Sequence, residues 1–161
     1  MKIQKTNVAR LLDRDKVPYE LIPYDFDESD LGAAHVAEAL GEDVRQVFKT
    51  IVLHGDRTGH LVCVVPGNAE VDLKKAARVS GNKKVEPLPL KELLPTTGYI
   101  RGGCSPIGMK KHFPTYVDRS AADHPHIYVS AGQRGLQVRI APADLLREAR
   151  AELADLAAGG E

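Results

Sequence analysis

The chain has 161 residues, the length of about one domain with a sizeable core. Its 43% hydrophobic and 27% charged residues are ordinary globular composition, which excludes a disordered or fibrous chain. Lys plus Arg and Asp plus Glu both number 22, so nucleic acid is not held by bulk charge, though a local basic patch stays open.

In chain order, Thr6 or Asn7 caps a first helix with Val8, Leu11 and Leu12 on its apolar face, ended by Pro18. Tyr19–Tyr24 reads as a strand closing at the acidic turn Asp25–Asp30. An Ala-rich helix near Leu31–Leu40 stops at Gly41. The runs Val47–Leu53 and His60–Val65 flank a turn with Gly55 and Gly59, the pattern of a hairpin in a buried sheet. Asp72 caps a basic helix, Leu73–Val79, ending at Gly81. Pro87, Pro89 and Pro95 bracket a helical turn around Lys91–Leu94. Three glycines and a proline between Tyr99-Ile100 and Met109 make Thr97–Gly108 a loop of demanding geometry. Short strands are expected at Thr115–Val117 and Ile127–Ser130, and at Gln137–Ile140 with Val138 and Ile140 on one face. Pro142 opens a last helix whose face is Leu145, Leu146, Ala149, Leu153 and Leu156, before a fraying tail at Gly159–Glu161. This order predicts one α+β domain over 1–161, a mixed or antiparallel sheet with helices, and disfavours a doubly wound parallel sheet.

Cys63 and Cys104 have no metal spacing, and Cys63 falls in an apolar run, so it is expected to be buried. The charged N-terminus has no secretory pattern, and no apolar run approaches the ~18–20 residues of a membrane span. A cytoplasmic protein without membrane, metal or cofactor is expected. The six histidines show no zinc spacing, and His124 and His126 read as a surface turn.

Three segments carry candidate chemistry. Lys49 stands on the strand face shared by Ile51 and Leu53. A lysine there either polarises a carbonyl or snorkels into water. The run Gly102-Gly103-Cys104-Ser105-Pro106-Ile107-Gly108 either brings backbone N–H groups to a ligand or is a tight structural loop. It lacks the Gly-Lys-Ser/Thr ending of a P-loop. Ser130 with Gly132 is either a binding rim or a β-turn. Two basic clusters, Lys74, Lys75, Arg78, Lys83, Lys84 and Lys110, Lys111, His112, are candidate RNA contacts or solvated faces.

Read together, Val47-Phe48-Lys49-Thr50, Val71-Asp72-Leu73-Lys74-Lys75, Thr97-Gly98-Tyr99 running into Gly102–Gly108, and Ile127-Tyr128-Val129-Ser130 with Gly132 and Arg134-Gly135-Leu136 resemble the YbaK family. That family shares its fold with the editing insertion of bacterial prolyl-tRNA synthetases. The resemblance runs from Val8 to about Ala149. It implies a mixed, partly closed, barrel-like sheet flanked by helices. It implies a trans-acting deacylase of Cys-tRNA(Pro), or of Cys-tRNA(Cys), working beside prolyl-tRNA synthetase. Lys49 would be the essential residue, with Tyr24, Leu31, Thr50, Ser130 and Gly132 lining the aminoacyl pocket. Gly102, Gly103, Ser105 and Pro106 would cradle the terminal adenosine and the ester. The substrate thiol would attack its own carbonyl, so no enzyme nucleophile is needed. Leu31 replaces a common aromatic residue, Gln137 a common Asp, and Cys104 a usual aliphatic residue. Alternatives are an editing hydrolase for Ala-tRNA(Pro) or another small mischarge, a non-catalytic tRNA-end or synthetase binding module, and a metal or thiol hydrolase.

Overall fold

The computed structural model describes residues 5–158. The centre is the expected hairpin, β2 (Phe48–Gly55) and β3 (Gly59–Pro66), paired in register from Phe48–Pro66 to Gly55–Gly59. β3 is buried on both faces. Its Val62 and Val64 face one core and its Leu61, Cys63 and Val65 the other, which is why the strand reads as an unbroken apolar run. β5 (Thr115–Asp118) pairs parallel to β3, β8 (Ala151–Ala154) parallel to β5, and β4 (Val85–Pro87) antiparallel to β2. This five-stranded sheet has the order β4-β2-β3-β5-β8. β1 (Glu20–Pro23), β7 (Leu136–Ile140) and β6 (Ile127–Gln133) form a second, antiparallel sheet. A parallel bridge from Val47 to Tyr128 brings β2 against β6 and joins the two sheets. The α+β class and the mixed, partly wrapped sheet are as expected, though neither sheet closes into a barrel.

The main core lies between the sheets and takes Val8 and Leu12 of α1 (Asn7–Arg14) and Leu145 of α5 (Pro142–Ala149). Thr6 caps α1, its hydroxyl accepting from the Ala9 amide. The second core packs the other face of β2–β3 on α3 (Leu73–Ser80), whose N-cap Asp72 accepts from the Lys74 and Lys75 amides. A third cluster seats α2 (Ala33–Leu40) on Val47 and Tyr128, and α2 ends at left-handed Gly41. α4 (Leu90–Thr97) carries Pro95 inside it. No helix among the described residues is long and apolar enough to cross a membrane.

Two expectations change. The last helix does not reach Leu156. It stops at Ala149, Arg150 turns left-handed at φ 51°, and the chain continues as β8 beside β5. Leu153 is therefore exposed, while Leu156 is fully buried in the second core. Pro87 ends the short edge strand β4, where its missing N–H costs no ladder bond. The helical turn after it is longer than expected. The tail at Gly159–Glu161 lies outside the described residues.

Where α5 meets the end of α1, Glu148 faces Asp15. Burial pushes the Glu148 carboxyl up to about 7, and its hydrogen bond to Asp15 and the charge there add to this. Asp15 is held low, first by its bond from Arg14. A raised folded pKa means that the folded state holds the proton more tightly than the unfolded chain. The stabilisation is full below the ordinary glutamate range and is lost as pH rises through about 7. Glu148→Gln keeps a donor for Asp15. In thermal melts it is expected to exceed wild type at pH 8 and to lose that advantage at pH 5.

Candidate active site

β2 forms the floor of a cavity of about 390 Å³. Leu31 and Val36 give one wall, Leu88, Leu90 and Leu93 another, and the Arg101–Cys104 segment closes a third side. Ser130 of β6 and Gln137 of β7 reach in from the second sheet. They are cross-strand partners, and the Val47–Tyr128 bridge sets their strand beside Thr50. Among the described residues, no carboxylate lines this space.

Lys49 lies opposite Val65, and its parity agrees with Ile51 and Leu53 on the α3 side. Its side chain is 24% exposed at the cavity lining, with Nζ 3.4 Å from Glu70 Oε1. Glu70 is 85% exposed, so this pair is a weak tether that a ligand can displace.

The glycine loop approaches closely because it carries no side chains where space is short. A Cβ on Gly102, at φ +87°, would stand 3.1 Å from Leu31 Cδ2, and one on Gly103 would stand 3.0 Å from Gln133 Cα. Arg134 Nε donates to the Arg101 carbonyl at 2.9 Å and ties the loop to the β6–β7 turn. Burial pushes the Cys104 thiol up to about 12. That leaves almost no thiolate at neutral pH and makes Cys104 a poor nucleophile. Cys63 is buried as expected, and its thiol too is pushed up to about 12 by burial.

Leu31, Lys49, Thr50, Gly102 and Ser130, picked out in the sequence, thus meet around one cavity. The others sit outside its lining. The Tyr24 amide bonds the Gly135 carbonyl, and its ring packs in the α2 cluster. Ser105 is fully buried, its hydroxyl accepting from the Ile107 amide, so it holds the loop's own turn. Gly103 packs on Gln133, and Gly132 donates its amide to Ser130 Oγ at 3.1 Å. Pro106 lines a separate cavity of about 200 Å³ behind the loop, with His112 and Glu148. In the basic clusters, Lys75 is tied to Asp155 and to the Ala157 carbonyl, and Lys84 to Glu86.

Two cavity residues carry no functional signal in the residue pattern alone, although the resemblance marks Gln137 as a departure from a common Asp. Gln137 alternates with buried Val138 and Ile140 and so reads as outward-facing. The second sheet turns that face onto the cavity, and Gln137 is only 5% exposed. Arg101 lines the mouth beside Gly102.

A two-sheet α+β fold with a largely apolar cavity, a lysine at its edge and a close-approaching glycine loop defines a small-group binding pocket. The aminoacyl-tRNA editing domain model matches residues 29–148, and the chain belongs to that family. It is 52% identical to an Enterococcus faecalis protein provisionally named Cys-tRNA(Pro)/Cys-tRNA(Cys) deacylase EbsC, over 95% of this chain and 93% of that one. It is 27% identical to the proline–tRNA ligase of Thermosipho melanesiensis over 59% of this chain and 19% of the ligase. A crystal structure described provisionally as a trans-editing enzyme for prolyl tRNA synthetase superposes with a TM-score of 0.81 at 26% identity. It covers 97% of this chain and 100% of that one.

Proposed function

We propose that the protein is a trans-acting aminoacyl-tRNA deacylase whose substrate is Cys-tRNA(Pro), with Cys-tRNA(Cys) as a second substrate. The observation that carries this reading is the Lys49-edged cavity, which offers a cation and close backbone but no competent nucleophile of its own. The likeness to the Enterococcus deacylase supports it.

In this reading the terminal adenosine lies along the Gly102–Pro106 loop and the cysteinyl group enters between Leu31 and β2. The substrate sulfur attacks the ester carbonyl carbon, and the carbonyl oxygen becomes an oxyanion beside Lys49. The bond to the ribose oxygen then breaks, that oxygen takes up the proton given by the thiol, and a cyclic thiolactone leaves. Lys49 and loop amides supply electrostatic stabilisation and orientation, so no cofactor enters any step. The described cavity would act as the editing site of a single domain spanning 1–161. Its working place would be the cytoplasm beside prolyl-tRNA synthetase, a partnership supported by the likeness to the Thermosipho ligase.

Deacylation of Cys-tRNA(Pro), Ala-tRNA(Pro) and Ser-tRNA(Pro) at enzyme excess tests the reading. Clearance confined to the cysteinyl ester is expected, because alanine has no thiol to attack with. Clearance of the alanyl ester would move the protein to the sister activity. Tight binding without turnover on any ester would make it a binding module.

A further inference from the structure

Among the described residues, Thr50 Oγ1 and Gln137 Oε1 are the only buried side-chain polar atoms without a hydrogen-bond partner. Both residues line the same cavity. The fold satisfies comparable groups elsewhere. Asn82 Oδ1 accepts from the Arg57 and Thr58 amides, and the Asp118 carboxylate accepts from Ser120, Leu156 and Ala157. The neighbouring Ser130 hydroxyl is already engaged by the Gly132 amide. Two unengaged groups therefore remain at the polar end of an otherwise largely apolar space. Leaving such groups unpaired is costly, and a ligand that supplies donors recovers that cost.

We infer that Gln137 Oε1 and Thr50 Oγ1 bind the α-amino group of the aminoacyl ester and so set the carbonyl against Lys49. This rests on the deacylase reading. The amine is the group that fits because one nitrogen carries several N–H donors and can serve two acceptors, whereas a thiol has a single weak donor. The cavity lining holds the cations Lys49 and Arg101 and no carboxylate. An ammonium would enter without a counter-charge, so the pair takes the uncharged amine. Gln137 and Thr50 bind and orient; they do not exchange protons with the reacting centre.

The test uses two non-hydrolysable adenosine analogues with the acyl group amide-linked at the 3′ position, one cysteinyl and one 3-mercaptopropionyl. They differ in the α-amino group alone. At pH 8 wild type is expected to bind the cysteinyl analogue at least about fivefold more tightly. In Gln137→Met and Thr50→Val the ratio should fall towards one. Both variants should also melt at or above wild type, by about 2–4 °C, because an apolar side chain of similar shape relieves an unpaired buried group. A structural role for either residue would lower the melting temperature instead. Equal binding of the two analogues by wild type overturns the inference and leaves the deacylase reading standing, as does an unchanged ratio in the variants or a lowered melt. Wild type that binds neither analogue overturns both.

Discussion

Lys49→Ala is expected to lose about 10²–10³-fold in the rate of Cys-tRNA(Pro) deacylation under single-turnover conditions, the usual effect of removing one oxyanion-stabilising donor. The size of the loss follows from the site. Two cations line the cavity, and Lys49 rises from the β2 floor while Arg101 stands at the mouth, so Lys49 is the charge placed to meet an oxyanion over β2. A lysine 24% exposed at a low-dielectric edge is screened less than one in open water. Substrate binding should change much less than turnover, because the ground-state carbonyl gains less from the cation than the oxyanion does. Folding should be intact, since Lys49 makes only the weak contact with Glu70. Glu70→Gln is accordingly expected to stay within about twofold of wild type, as an exposed pair is worth ~0–1 kcal/mol. A Lys49→Ala rate within threefold of wild type would remove Lys49 from the chemistry.

The hairpin, the capped helices and the helix-to-glycine stops were legible because each is written in adjacent residues. Val47–Leu53 and His60–Val65 are apolar, β-branched runs across a glycine turn, Asp72 stands directly before α3, and Gly41 and Gly81 end their helices in the left-handed conformation. What escaped depends on partners far along the chain. Ala151–Ala154 has helix-forming composition, and Leu153 and Leu156 continue the apolar period of α5. Parallel pairing with Thr115–Asp118 overrides that weak preference once Arg150 breaks the helix. β4 escaped for the same reason, being three residues held by the edge of β2 and by Val85 in the second core. In the cavity, Lys49, Thr50, Gly102 and Ser130 were legible through the ordered set of short motifs. The burial of Gln137 was not, because nothing in Leu136–Ile140 tells which face of β7 the other sheet will cover. Orphaned atoms such as Thr50 Oγ1 and Gln137 Oε1 become visible only once hydrogen bonds can be traced through space.

Asp118→Ala is expected to cost about 3–5 kcal/mol, from three backbone amides left without an acceptor, taken towards the low end of ~1–3 kcal/mol each because the site is only partly closed to water. Asp118 is 3% exposed and stands at the end of β5. One carboxylate oxygen accepts from the Leu156 and Ala157 amides, both at 3.0 Å, and the other from the Ser120 amide and hydroxyl. These bonds fix the chain just past β8, and Leu156 beside them fills the second core. The other anchors at that end among the described residues are the Val71–Ala157 bridge, the Lys75 contacts to Asp155 and Ala157, and the exposed Arg119–Asp155 pair. A fall in Tm of about 10 °C would be the visible result for a protein of this size. Burial alone would raise the Asp118 pKa, but the bonds from Ser120, Leu156 and Ala157 together outweigh it and hold the carboxyl low. A depressed folded pKa gives stability that is present above the ordinary aspartate range and lost as pH falls through the folded value. Asp118→Asn keeps one acceptor for the Leu156 and Ala157 amides but turns an NH₂ towards the Ser120 amide. It should sit between wild type and Asp118→Ala at pH 7. The gap separating it from wild type should then close in acid, as the native carboxylate takes up a proton and loses its advantage. A gap that stayed constant from pH 7 down to pH 3 would mean that packing, not the carboxylate, holds β8 in place.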